Sequence, residues 1–114
     1  MTNAQIFAPD RTAVIFGAAS GIGRATAAHC ARAGMRLVLA DHDAAGVEVA
    51  AKELDGEGYG VDVGDHAAMS ALHARIVAAH DDIAFVMNNA GHGHGGGGAP
   101  FGDYDKWRRV FDTN

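Results

Sequence analysis

The sequence predicts an α/β domain in which a parallel sheet carries helices on both faces. Short β-branched or apolar runs alternate with alanine-rich stretches of helical character along the chain, and a glycine cluster joins the first such run to the first helix. The segments between successive runs are too long for hairpins, so each strand-to-strand connection is a helical crossover, expected to be right-handed. With 48% apolar and 20% charged residues among 114, and only two prolines, the composition is that of one globular domain rather than a disordered tail or a fibre.

Each element has its own local reason. Thr12 to Phe16 reads TAVIF and forms the first strand. Ile22 to Ala33 is alanine-rich with Ile22, Thr26 and Cys30 spaced four apart as its apolar stripe, and Gly34 falls just past its C-terminus. Met35 to Ala40 is continuously apolar, as a strand covered on both faces should be. The unit then recurs: Asp43 to Leu54 is a helix, Gly58 to Val63 a third strand, Asp65 to His80 a helix and Ile83 to Met87 a fourth strand. A last helix is expected from near Asp103 through Trp107, Val110 and Phe111 to Asn114, so that the sequence stops inside an element. No linker or composition shift divides residues 1–114, which read as a single domain incomplete at its C-terminal side.

Charge and composition exclude several functions. Fourteen acidic against nine basic side chains leave a formal charge of −5, which disfavours electrostatic grip on nucleic acid. The apolar runs fall far short of the roughly 20 residues that span a bilayer, so no membrane span is expected. Met1 to Asp10 lacks a signal-peptide pattern and Cys30 is the lone cysteine, which together point to a reducing, cytoplasmic setting.

The turn between the first strand and helix is Gly17-Ala18-Ala19-Ser20-Gly21-Ile22-Gly23. A strand that passes at once into a helix needs positive φ, a pyrophosphate needs close backbone approach, and the helix must lie tightly on the sheet, so side chains are excluded at the glycines. The helix N-terminus offers free N–H groups and the positive end of its dipole to phosphates, which needs no lysine and suits an acidic chain. Eighteen residues after Gly23, at the end of the second strand, stands Asp41, placed to accept both ribose hydroxyls of an adenosine. Glycines at a turn also serve purely conformational ends, and Asp41 could instead cap the helix that follows it. The ordered succession of strand, glycines, helix, strand and acid favours dinucleotide binding, and the lack of G-K-[ST] at the turn argues against a P-loop nucleotidase.

These residues resemble the short-chain dehydrogenase/reductase family. The family's Thr-Gly-x-x-x-Gly-x-Gly corresponds to Phe16 through Gly23, its Asp-Val to Asp62-Val63, its Asn-Asn-Ala-Gly to Asn88-Asn89-Ala90-Gly91, and its helix asparagine to Asn114. The resemblance spans nearly the whole chain and implies a doubly wound Rossmann-type fold of which this is the N-terminal half. It implies that Gly17, Ser20, Gly21, Ile22 and Gly23 hold the diphosphate, that Asp62 bonds the adenine with Val63 packed on it, and that Asn88, Ala90 and Gly91 line the adenosine side. It further implies an NAD(P)-dependent oxidoreductase, acting on a small-molecule alcohol or carbonyl and assembled as a homo-oligomer, with Asn114 in the catalytic set. Asp41, with no basic residue at Ser20, favours NAD over NADP. Phe16 departs from the family's threonine, whose hydroxyl bonds the local backbone.

The family's catalytic serine and Tyr-x-x-x-Lys have no counterpart here. The two lysines are Lys52 and Lys106, the two tyrosines are Tyr59 and Tyr104, and neither tyrosine has a lysine four residues on. A tyrosine needs a neighbouring cation to approach phenolate near neutral pH, so residues 1–114 alone are expected to bind the cofactor half-site without turning over. Two other readings stand beside this one: a non-catalytic dinucleotide-binding or dimerising module, and an S-adenosylmethionine methyltransferase, which Asn88-Asn89-Ala90-Gly91 speaks against. With the sheet ending at the fourth strand, Ile83 to Met87 is expected to be an exposed edge prone to self-association.

The remaining features carry less. His92-Gly93-His94 followed by Gly95 to Gly98 could share a metal, but the glycines make ordering costly and no further ligand follows, so no metal site is expected. His29, His66, His73 and His80 fall on helices and read as solvated. Cys30 reads as a small core residue, and Arg24 as a side chain able to approach a phosphate.

Overall fold

A computed structural model describes residues 2–89, and the expected last helix, the His92 to Gly98 segment, Ala90, Gly91 and Asn114 lie outside them. The elements are α1 (Asn3–Ile6), β1 (Thr12–Phe16), α2 (Gly21–Arg32), β2 (Arg36–Asp41), α3 (Ala44–Leu54), β3 (Glu57–Gly60), α4 (His66–Ala79) and β4 (Ile83–Asn88). All strand pairs are parallel and the sheet order is β3-β2-β1-β4. The chain thus winds outward from β1 through β2 to β3, then crosses back to lay β4 on the other side of β1. That reversal puts a crevice at the carboxyl ends of β1 and β4, where ligands of open α/β sheets bind.

The two-sided burial follows from the pleat. Successive side chains of a strand point to opposite faces, and β1 is buried at every position. Ala13 and Ile15 join Leu37 and Leu39 of β2 beneath Ala27 and Cys30 of α2 and Val47, Ala50 and Ala51 of α3. Val14 and Phe16 join Val38 and Ala40 on the other face, beneath Met69, Leu72 and Ile76 of α4. Helices therefore cover both faces, as the continuous apolar runs require. Cys30 is fully buried, and burial raises its thiol pKa, in keeping with a core role.

Four local expectations shift. The buried stripe of α2 is Gly23, Ala27 and Cys30, one residue away from the Ile22 and Thr26 spacing, because Gly23 must face the strand and Thr26 spends its hydroxyl on the Ile22 carbonyl at 2.8 Å. β3 starts and ends earlier than Gly58 to Val63: Glu57 already pairs with Val38, and the ladder runs out at Asp41 opposite Gly60, leaving Asp62 and Val63 beyond the strand. α1 lay unrecognised in the sequence, where Thr2 and Gln5 form a capping pair, with the Thr2 N–H donating to Gln5 Oε1 at 2.7 Å. Finally, His80 is not solvated. Its side chain is 7% exposed, with Nε2 lying 2.9 Å from Glu57 Oε2 without hydrogen-bond alignment and Nδ1 3.4 Å from the Thr12 hydroxyl. His73 is half-buried, whereas His29 and His66 are exposed as expected.

At the amino end of the sheet, Arg11 clamps Asp82 through two hydrogen bonds of 2.9 Å, and the Thr12 N–H donates to the Asp82 carbonyl at 2.9 Å. Phe7 packs on Phe85 of β4 at 5.0 Å and on His29 of α2 at 5.5 Å, so the N-terminal segment straps β4 to α2. β4 is an edge of the sheet among the described residues, and it meets β1 through an irregularity, with Thr12 opposite Ile83 but Ala13 opposite Phe85.

Two predictions come from this packing. Leu39→Ala, which empties a fully buried position at the centre of the α2/α3 face, should lower unfolding free energy by about 2–5 kcal/mol in urea denaturation without abolishing the secondary-structure signal. The hydrogen bonds from Arg11 hold the Asp82 carboxyl below its usual range, so the pair stabilises the fold above the unfolded Asp pKa of about 3.9 and loses that contribution as pH falls through the lower folded value. The urea midpoint of Arg11→Ala should accordingly fall below that of the parent at pH 7, and the gap should close in acid.

Candidate functional site

The candidate site is the crevice at the carboxyl ends of the strands, and the glycine turn forms its floor. Gly17 has φ of 82° and Gly21 of 60°, a region that side-chain-bearing residues rarely adopt, so the chain reverses from β1 into α2 without strain only with glycine there. A β-carbon on Gly23 would collide with the Gly17 carbonyl and stand 3.3 Å from the Ala18 α-carbon, so α2 rests directly on the turn. The turn is pinned to β2 by the backbone: the Gly17 and Ala18 N–H groups both donate to the Ala40 carbonyl, at 2.7 and 3.2 Å. Phe16 serves as a core residue, 1% exposed on the α4 face.

Above this floor, Ser20 is the N-cap of α2 and its side chain makes no capping bond. The hydroxyl is exposed beside the orphan N–H groups of the first turn, which together make an anion-accepting helix end. Ile22 is 68% exposed on that same turn.

Asp41 is the last residue of β2 and is 8% exposed. Its Oδ2 accepts the Ala19 N–H at 2.9 Å and its Oδ1 accepts the Asp43 N–H at 3.0 Å. The carboxylate therefore ties the glycine turn to the loop that opens α3. It does not cap α3; that task falls to Asp43, whose side chain accepts the Gly46 N–H at 3.0 Å. Asp41 Oδ1 also lies 3.2 Å from His42 Nδ1. Gly46 is a site-shaping residue that the sequence reading passed over. A β-carbon there would lie 3.1 Å from the Ala19 side chain and collide with Asp43, so glycine lets α3 close on the turn. Its signal in the sequence was a glycine in the first turn of a helix, where that residue is otherwise unfavourable.

The other expected residues gather around this centre. Asp62 sits just past β3, its Oδ1 accepting the Gly64 N–H at 2.8 Å, and the Val61 N–H prolongs the β2 ladder to the Asp41 carbonyl at 2.9 Å. Val63 is half-buried against the α4-side core. Asn88 ends β4 opposite Phe16, and its buried Oδ1 has no hydrogen-bond partner among the described residues. Gly17, Ser20, Gly21, Ile22, Gly23, Asp41, Asp62, Val63 and Asn88 thus all lie at the carboxyl side of the sheet. Arg24 does not reach toward the turn, because its guanidinium pairs with Glu53 of α3. Tyr59 belongs elsewhere: its hydroxyl donates to Glu57 at 2.7 Å, the Arg75 guanidinium lies 5.4 Å from its ring centre, and burial raises its pKa. Among the described residues no His, Cys, Asp and Glu side chains group as a metal site, and no helix is long and apolar enough to cross a membrane.

Comparison with known proteins places this geometry. The sequence profile of the short chain dehydrogenase family matches residues 11–114. The chain is 40% identical over 102 residues to 2-keto-3-deoxy-L-fuconate dehydrogenase of Xanthomonas campestris pv. campestris, covering 89% of this chain and 32% of that protein. Among solved structures it is similar to a 3-ketoacyl-(acyl-carrier-protein) reductase from Brucella melitensis complexed with NADH, at TM-score 0.69 and 28% identity, covering 90% of this chain and 43% of that one. It is likewise similar to L-sorbose reductase from Gluconobacter frateurii complexed with NADPH and L-sorbose, at TM-score 0.70 and 26% identity, covering 89% and 40% respectively. The chain spans less than half the length of the first curated relatives it matches. A four-stranded parallel sheet wound on both faces, a glycine turn carrying a helix N-terminus, and a profile match over residues 11–114 together establish that this chain belongs to the short-chain dehydrogenase/reductase family.

Proposed function

We propose that this chain supplies the cofactor-binding half of an NAD(P)-dependent oxidoreductase that acts on a small-molecule alcohol or carbonyl, with NAD preferred over NADP. The observation that carries the reading is the Asp41 carboxylate, nearly buried at the carboxyl end of β2 and bonded to Ala19 of the glycine turn, the place where an adenosine ribose would be received. In this reading Gly17, Ser20, Gly21, Ile22 and Gly23 hold the diphosphate on the α2 N-terminus, with the Ser20 hydroxyl as an added donor. Asp62 and Val63 receive the adenine, and Asn88, with the unpartnered Oδ1, lines the adenosine side. Ala90 and Gly91, outside the described residues, continue that wall. Asn114, also outside them, belongs to the catalytic set and orders water.

The nicotinamide dinucleotide, when bound, supplies the hydride acceptor or donor. The chain's part is to bind and orient. Asp41 also discriminates: a 2′-phosphate placed about 4 Å from this carboxylate would meet like-charge repulsion of ~4 kcal/mol at intermediate dielectric, less where water screens it. The relatives' structures with NADH and with NADPH support dinucleotide binding in the family and leave that preference to Asp41. A homo-oligomer is part of the same proposal.

Two measurements test it. Calorimetric titration should give tighter binding of NAD than NADP, and Asp41→Ala should weaken NAD and narrow the gap; equal or tighter NADP binding by the parent would remove Asp41 from this role. Residues 1–114 purified alone should give no substrate-dependent change in nicotinamide absorbance with a panel of alcohols and ketones, since a positioned acid or base contributes about 10²- to 10⁴-fold and no Tyr-x-x-x-Lys is present. Turnover abolished by Tyr104→Phe would overturn that account.

A further inference from the structure

Gly46 lies in the first turn of α3, where the backbone gives no reason for a glycine. It is not one of the glycines with positive φ, and glycine is among the least favourable residues in a helix. What this position uses is the missing β-carbon. A β-carbon there would collide with the Asp43 carboxylate and stand 3.1 Å from the Ala19 β-carbon, closer than ordinary van der Waals contact. Those two neighbours are the residues whose backbone N–H groups hold Asp41: Ala19 donates to Oδ2 at 2.9 Å and Asp43 donates to Oδ1 at 3.0 Å. The Gly46 N–H in turn donates to Asp43 Oδ1 at 3.0 Å. One added carbon at Gly46 therefore presses on the residues that supply both backbone donors of the Asp41 carboxylate.

We propose that Gly46 is a positioning residue for ribose recognition, acting through Asp41: its bare backbone lets α3 seat Ala19 and Asp43 where their N–H groups aim the carboxylate. The inference rests on the ribose reading of Asp41 above and deepens it by naming what orients that carboxylate. The two neighbours yield differently to an added β-carbon. The Asp43 carboxylate can swing about its own side-chain bonds, at the cost of the cap it gives α3. The Ala19 methyl is fixed to the backbone, so it yields only if the glycine turn moves and takes its N–H with it. Hydrogen bonds weaken steeply with misalignment, and those to a charged acceptor have the most to lose. A carboxylate turned by its donors then meets the ribose hydroxyls at the wrong angle. Alanine also favours the helix more than glycine does, so α3 itself gains from Gly46→Ala and a loss of recognition cannot be ascribed to a loosened helix.

The test is calorimetric titration of the purified protein with AMP and with 2′-deoxy-AMP, for the parent, Gly46→Ala, Ala45→Gly and the double variant Ala19→Gly, Gly46→Ala. In the parent, AMP should bind on the order of tenfold tighter than 2′-deoxy-AMP, the worth of one hydrogen bond to a charged acceptor. In Gly46→Ala that ratio should fall by roughly threefold or more, as for a misaligned bond, while the urea midpoint holds or rises. Ala45 is exposed on the same turn, and Ala45→Gly should lower the urea midpoint and leave the ratio at the parent value. The double variant, freed of the Ala19 methyl, should move the ratio back toward the parent. An unchanged ratio in Gly46→Ala overturns the role of Gly46 while leaving the ribose reading intact, and so does an equal fall in Ala45→Gly, which would make the effect one of helix stability. A double variant that stays at the Gly46→Ala ratio overturns the route through Ala19. A parent that binds AMP and 2′-deoxy-AMP equally overturns the ribose reading of Asp41 and this inference with it.

Discussion

The close contact between Gly23 and the Gly17 carbonyl is the constraint on which the site depends. It lets the first turn of α2 sit directly on the end of β1, so the helix N-terminus opens into the crevice rather than over it. A side chain at Gly23 would lift the helix, and with it the orphan N–H groups that make an anion site without any cation. Such a helix end suits a phosphate group by geometry and dipole even on an acidic chain. The positive φ values at Gly17 and Gly21 serve the same end, since they allow the reversal from strand to helix within four residues.

Asp41 converts that turn into a rigid unit. A carboxylate that is nearly buried must be hydrogen-bonded, and here both partners are backbone N–H groups from different loops. One residue thereby fixes the spacing between the glycine turn and the start of α3, while Gly46 removes the side chain that would hold them apart. In the proposed reading, structure and recognition share the same atoms. Truncating Asp41 consequently disturbs the turn as well as any ribose contact.

The opposite end of the sheet is organised by different chemistry. Arg11 and Asp82 join the start of β1 to the start of β4 across a gap of 71 residues, and Phe7 adds apolar contact with Phe85 over the same edge. His80 and Glu57 link the end of α4 to the start of β3. The Arg11–Asp82 ion pair, the His80–Glu57 contact and the rings thus tie the amino ends together, while the carboxyl ends are left to backbone bonds and short side chains. That division leaves open the crevice in which a ligand can sit.

The sequence by itself determined the succession of elements and the glycine and acid motifs, because strand periodicity, turn glycines and a terminal carboxylate are local signals that a fold cannot disguise. TAVIF, the Gly17 to Gly23 turn and the apolar run ending in Asp41 each carry their meaning within a few residues. Tertiary structure alone decided which face of α2 is buried, where β3 stops and what Arg24, His80 and Asp41 touch. Those outcomes depend on residues far away in the chain: Gly23 faces Gly17 only because α2 folds back on β1, β3 ends where β2 runs out of partners, and Arg24 finds Glu53 only because α2 and α3 lie side by side. The exclusion of Asp41 from capping α3 is of the same kind, since the competing N–H groups of Ala19 and Asp43 meet at one carboxylate only after β1 and β2 have paired.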